Sequence, residues 1–152
     1  MSRVVSGLLW ARQVPRPEFI PRSRPKGAKA KGLRFERLVA KALPGAKHAL
    51  WFEYGDSHGK GWFSTDLMLE FPNRVVVIEV KLTDTPVAIG QLAGLYLPVL
   101  AKAFAKPTYG VIVAKHLTTG TEPTRVVDNL AAALRLCTKT IPVLHWLGRG
   151  RL

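Results

Sequence analysis

The stretch Thr65-Asp66-Leu67-Met68-Leu69-Glu70-Phe71, then Pro72-Asn73, then Arg74-Val75-Val76-Val77-Ile78-Glu79-Val80-Lys81-Leu82 constrains this chain more than any other. Two apolar runs, the second largely β-branched, around a turn dipeptide read as an antiparallel hairpin. Whether the turn closes over two residues or four, Phe71 stands opposite Arg74, and positions whose numbers sum to 145 oppose each other. That register puts Leu67 against Ile78 and Leu69 against Val76, with Val80 beside them, on one face. The other face carries Asp66 against Glu79, Met68 against Val77 and Ser64 against Lys81. One face is core and the other is charged. Facing carboxylates repel, and within apolar strands they also lose hydration, so the pair calls for a compensating cation. Carboxylate ligation suits a hard ion: Mg²⁺ is expected, with Mn²⁺ as a substitute, held by Asp66 and Glu79 and completed by the Val80 carbonyl and waters. Lys81, two residues beyond Glu79, shares its face and places an ammonium where it can assist an attacking water. The competing reading is a self-balancing Asp/Glu/Lys cluster, which seldom outperforms apolar packing.

Around this hairpin the pattern is α-β-β-β-α-β-α-β. Phe35, Leu38, Val39, Ala42 and Leu43 recur with helical period, predicting a helix from Ala28 to Leu43 that Pro44-Gly45 stops. Lys47 to Tyr54 reads as a first strand, Gly55 to Gly61 as a flexible loop, and Thr65 to Phe71 and Arg74 to Leu82 as the hairpin. Asp84 or Thr85 with Pro86 caps a second helix to about Ala105, with Pro98 as a kink site; Tyr109 to Ala114 is a wholly apolar strand. Thr124 to Cys137 reads as a third helix through Val127, Leu130, Leu134 and Cys137, and Ile141 to Leu147 as a closing strand.

The chain of 152 residues carries 23 Lys and Arg against 10 Asp and Glu, a net charge of +13, which favours a polyanionic partner, nucleic acid first. Nine of those cations against one acid, Glu18, fall in residues 1–34. With Pro15, Pro17, Pro21 and Pro25 interspersed, residues 1–27 read as a basic arm that orders on a partner or packs partly by Leu8, Leu9 and Trp10; a solubilising tail is the alternative. Residues 28–152 form the domain proper. The lone cysteine, Cys137, excludes an internal disulfide and a cysteine-based zinc site, and the absence of a long unbroken apolar run or a secretory leader predicts a cytoplasmic protein without a membrane span.

Thr65-Asp66, twelve intervening residues, then Glu79-Val80-Lys81 resembles the motif of the PD-(D/E)xK nuclease superfamily, with Thr65 in place of the proline. The expected element order over residues 28 to 115 is also similar to that family's restriction-endonuclease-like αβββαβ core. The resemblance implies an α/β fold with a mixed central sheet flanked by helices, and a metal-dependent deoxyribonuclease leaving 5′-phosphate and 3′-hydroxyl ends. Within the superfamily, Lys31-Gly32-Leu33-Arg34-Phe35-Glu36-Arg37 looks most like the first helix of archaeal-type Holliday-junction resolvases. That likeness implies branched or duplex DNA as substrate, a homodimer, and Glu36 as a further metal ligand or catalytic group. Leu92, Leu95 and Val99 or the fifth strand are candidates for the dimer surface. Gln91 is similar to the glutamine of the exonuclease-like branch, although that branch places a tyrosine four residues on, where this chain has Leu95 and then Tyr96.

Lys29, Lys31 and Arg34 are expected to track the DNA backbone, and His58 and Lys60 in the Gly-containing loop to contact phosphates. The four histidines have no metal-ligand spacing, and Trp51, Trp62, Trp146 and Tyr109 read as core residues. Two rivals stay open: an exonuclease-like or restriction-like nuclease, and a nucleic-acid binder without chemistry.

Overall fold

A computed structural model describes residues 4–20, 27–84, 87–117, 125–127, 141 and 143–146. The first helix, α1 (Ala28–Ala42), turns Phe35, Val39 and Leu43 to the core and ends at Leu43, whose N–H donates to the Ala40 carbonyl. Gly45 follows with φ +88°, a conformation that favours glycine.

The next two strands form one long hairpin folded over on itself. Strands β2 (Lys47–His48) and β3 (Trp51–Asp56) pair with β5 (Leu67–Phe71) and β4 (Gly59–Ser64) respectively, in one uninterrupted register: Lys47 opposite Met68, His48 opposite Leu67, Trp51 opposite Ser64, Phe52 opposite Phe63. Across the bend, Ala49 N–H donates to the Asp66 carbonyl at 3.2 Å and Thr65 N–H to the Leu50 carbonyl at 3.0 Å. Ala49 takes φ +47°, and here the hairpin passes from one sheet into another. The expected loop at Gly55 to Gly61 is therefore corrected. Gly55 and Asp56 end β3, Gly59 to Gly61 open β4, and a Ser57-His58 turn joins them, tied by His58 N–H to Asp56 Oδ1 at 2.9 Å.

Strand β6 (Arg74–Asp84) pairs antiparallel with β5 in the anticipated register, Leu67 opposite Ile78 through Phe71 opposite Arg74. It pairs in parallel with β7 (Thr108–Leu117), Glu79 opposite Ile112 and Lys81 opposite Ala114. Two short strands, β8 (Arg125–Val127) and β9 (Val143–Trp146), complete a six-stranded mixed sheet in the order β2-β5-β6-β7-β9-β8. Arg125–Val127 is strand rather than the start of the expected third helix; the remainder of that segment, with Cys137, lies outside the described residues.

The arm is partly built into the fold. Strand β1 (Trp10–Val14) pairs antiparallel with β3, giving a second, three-stranded sheet β1-β3-β4. Leu8 packs on the core while Leu9 is 69% exposed.

Helix α1 covers one face of the large sheet, where Phe35 and Val39 meet Leu67, Val76, Ile78, Val111 and Trp146. The other face meets the helical segment 87–104 together with Phe52, Tyr54 and Phe63 of the small sheet. That segment runs as α2 (Val87–Gln91), a π-helical turn (Leu92–Tyr96) and α3 (Leu97–Phe104). Pro98 lacks the N–H that the Gly94 carbonyl would accept in an α-helix. Instead Leu97 N–H reaches back five residues to the Leu92 carbonyl, and Val5 N–H from the arm takes Gly94 O at 2.9 Å. By length and composition the segment could cross a membrane, yet Ala88, Leu92, Leu95, Tyr96, Val99 and Leu100 are buried in the core. Leu92, Leu95 and Val99 therefore cannot supply a dimer surface, and neither can the fifth strand: β9 lies between β7 and β8 with Val143, Leu144 and Trp146 buried.

Candidate active site

The acidic pair forms where the folded hairpin parts from its neighbour. Asp66 precedes β5 at the bend, and the ladder that opposes Leu67 to Ile78 brings it beside Glu79 in the middle of β6. Val80 N–H donates to Asp66 Oδ2 at 2.8 Å, which fixes that carboxylate against β6. The two carboxyls are within hydrogen-bonding reach of each other, a contact that needs a shared proton or an intervening cation. Glu79 is 5% exposed, and its carboxyl is pushed up to about 9, first by burial, then by Asp66. Lys81 opposes this from 3.9 Å with a one-third exposed side chain and does not prevail.

Glu36 of α1 joins the group from the opposite side. Its carboxyl is raised to about 7, by burial and then by the charge of Asp66, and it in turn raises Glu79. The structure thus brings Asp66, Glu79, Lys81 and Glu36 into one electrostatic neighbourhood. Among the described residues, no three His, Cys, Asp or Glu side chains close into a cage for an ion. What the site does hold is an orphan: Glu79 Oε2 is buried without a hydrogen-bond partner, as is the hydroxyl of Thr65, the residue before Asp66. A divalent cation fits this donor set, since it would satisfy the orphan oxygen and relieve the carboxyl repulsion together. Asp66 and Glu79 would hold it, with the Val80 carbonyl and water as further donors and Glu36 reaching it through water.

Gln91 meets the site only through Tyr96, by a route the spacing obscured. Its Nε2 donates to Tyr96 Oη at 2.9 Å, and the Tyr96 phenol is raised by burial and by the charges of Glu79 and Asp66. An α-helix sets residues four apart on one face. The π turn between Gln91 and Tyr96 admits one residue more per turn, so a spacing of five works as four would. Tyr96 is the participant that spacing alone missed; Pro98 just beyond it was the available signal.

Other expected residues are dispersed. Ser64 pairs with Trp51 rather than facing Lys81, because β4 leaves the large sheet at the bend. His58 and Lys60 sit at the tip of the β3/β4 hairpin, Lys60 six residues from Asp66, up to about 20 Å at strand rise. Lys31 and Arg34 line a cleft of about 540 Å³ with Phe35, Lys115 and His116, whereas Lys29 lines a different cleft with Arg16 and Trp51. Trp146 is core, as expected, its ring tilted beside that of Phe35 at 6.0 Å between centres. Trp51 and Trp62 are not: both are only half-buried and lie on the face of the small sheet opposite Phe52 and Phe63.

Comparison with family models, with curated proteins and with solved structures finds no match to this chain.

Proposed function

We propose that this chain is a Mg²⁺-dependent DNA endonuclease of the PD-(D/E)xK type, cutting branched or partly unpaired DNA at the Asp66, Glu79 and Lys81 site. The observation that carries the reading is the buried, unpartnered Glu79 Oε2 beside Asp66, with an ammonium 3.9 Å from the same carboxylate. Buried polar atoms are as a rule hydrogen-bonded, so such an oxygen asks for a partner, and a cation shared with Asp66 is one that also relieves the carboxyl repulsion. The order α1, folded hairpin, β6, helix, β7 and the +13 charge support it further.

A divalent ion, when bound, supplies Lewis-acid activation of water and positive charge against the scissile phosphate. The chain's own groups do the rest. Asp66, braced by the Val80 amide, and Glu79, fixed in the middle of β6, would hold the cation and so set where a phosphate approaches it. Lys81 offers mobile positive charge at the solvent side, where it can stabilise charge building on phosphate oxygens. Glu36, poised near neutrality, can accept a proton from water at physiological pH. Tyr96, held by Gln91, borders the acidic pair closely enough to feel its charge.

End-labelled junction, flap, duplex and single-stranded DNA incubated with Mg²⁺ test this. Discrete fragments from branched substrates are expected, lost in EDTA and lost in Asp66→Ala and Glu79→Ala. Mononucleotide ladders would indicate an exonuclease instead. Cleavage indifferent to both substitutions would leave only a basic nucleic-acid binder.

A further inference from the structure

The small sheet carries an outward face that core formation does not require. Pairing aligns three rows across it: Val14, Trp51 and Ser64; Arg12, Glu53 and Trp62; Trp10, Gly55 and Lys60. Because Phe52, Tyr54 and Phe63 point to the core, the residues of these rows point away from it. Three half-buried indoles thus share one surface with Arg12 and Lys60. Its single acid, Glu53, is engaged by Arg12 at 2.6 Å and by the Trp62 indole N–H at 2.9 Å, so it does not present free negative charge.

At the end of this face nearest Asp66 the surface deepens into a cleft of about 830 Å³ between the arm, the first turns of α1 and the hairpin. Trp51, Arg16, Lys29, Leu33, Gln13 and Ser64 line it, and among the described residues that line it none is acidic. The Arg16 guanidinium sits 5.5 Å from the Trp51 ring centre and donates to the Ile20 carbonyl. The cleft adjoins the strand that carries Asp66: Ser64 in its lining is two residues before Asp66, and Ala49, also in its lining, donates its N–H to the Asp66 carbonyl. Flat aromatic surface, flanking cations and a volume suited to a small ligand match one or two nucleotides taken out of a stack, not a double helix.

We propose that this cleft seats an unpaired DNA strand, with a base against Trp51 and its phosphates beside Arg16 and Lys29, and delivers that strand to Asp66 and Glu79. The inference rests on the nuclease reading for the identity of the polymer and for where the strand goes. Stacking a base on an indole requires that the base be unpaired, so the cleft selects single-stranded or forked DNA over duplex.

The test measures binding and cutting separately. Fluorescence anisotropy of the full chain in EDTA is recorded with labelled oligo(dT), a duplex of equal length and a fork. The unpaired and forked DNAs are expected to bind at least tenfold more tightly than duplex. Trp51→Ala should weaken oligo(dT) binding by roughly tenfold, the scale of one lost base stack. Trp51→Phe should restore most of it, and Lys29→Ala should lower the salt dependence by about one counterion. Lys29 is exposed on α1, so its variant folds regardless of the sheet. Duplex binding as tightly as oligo(dT), or unchanged affinity in Trp51→Ala and Lys29→Ala, overturns the proposal. Tight Trp51-dependent binding with no cutting in Mg²⁺ would refute the nuclease reading and leave the cleft intact; cutting without Trp51 dependence would do the reverse.

Discussion

Glu79 is the residue whose environment is most at odds with its charge. A carboxyl raised in the folded chain to about 9 from an unfolded value near 4.5 binds its proton more tightly when folded. Its stabilising contribution is therefore complete below pH about 4.5 and is lost as pH rises toward 9. In EDTA, Glu79→Gln is expected to melt higher than the parent, with the gap widening from pH 6 to pH 8.5 by on the order of 10 °C, at about 1.4 kcal/mol per pH unit and roughly 2–4 °C per kcal/mol for a chain this size. Millimolar Mg²⁺ should reverse the order, since only the carboxylate gains from the cation. A gap that stays constant with pH in EDTA would contradict the burial argument. Glu53 behaves oppositely. Its hydrogen bond from Arg12 holds its carboxyl below the usual range, so its contribution is present at neutral pH and fades as acid titrates it. With Arg12 largely exposed, Arg12→Ala should cost only about 0.5–1 kcal/mol at pH 7 in urea melts, and less at pH 4.

Among the elements, the interrupted helix and the folded hairpin make the site. The π turn at Leu92–Tyr96 spends one extra residue to bring Tyr96 under Gln91, and Pro98 removes the hydrogen bond that would favour the regular helix. A double-mutant cycle of Gln91→Ala and Tyr96→Phe should return a coupling of about 0.5–1.5 kcal/mol in unfolding free energy. Zero coupling would mean that the two side chains do not meet. The hairpin bend at Ala49 does the complementary work. By turning β3 and β4 out of the large sheet, it ends the β5/β6 ladder just before Asp66 and leaves that side chain room to act.

For the whole molecule, the arm is a structural part. Strand β1 covers the edge of β3, Val5, Leu8 and Ala11 pack on the core, and Val5 satisfies the carbonyl that Pro98 leaves open. Removing residues 1–14 is expected to cost on the order of 3 kcal/mol from lost apolar burial, near 10 °C in melting temperature, and to expose a strand edge prone to association. Thermal melts and light scattering check it; a truncated chain as stable and monomeric as the parent would show the arm to be dispensable. Arg16, the arm's basic residue that lines the Trp51 cleft, lies beyond this cut, so a longer truncation through residue 20 should in addition flatten the salt dependence of DNA binding.

The turn at Pro72-Asn73 was enough to oppose Asp66 to Glu79, because a short turn leaves one register; the expectation of one core face and one charged face is corrected, since Met68, Val75 and Val77 on the second face are buried under the helical segment and only its end is charged. Helical period likewise placed Phe35 and Val39 under the sheet and Glu36 beside the acids. Local pattern could not disclose the bend at Ala49, the strand hidden in Gly59–Ser64 or the π turn. Each depends on hydrogen bonds to partners far along the chain: Asp66 for Ala49, Trp51 for Ser64, Val5 for Gly94. The same holds for the tryptophans. An indole in an apolar strand reads as core by composition, and only the packing of Phe52 and Phe63 against the helix decided that Trp51 and Trp62 face outward.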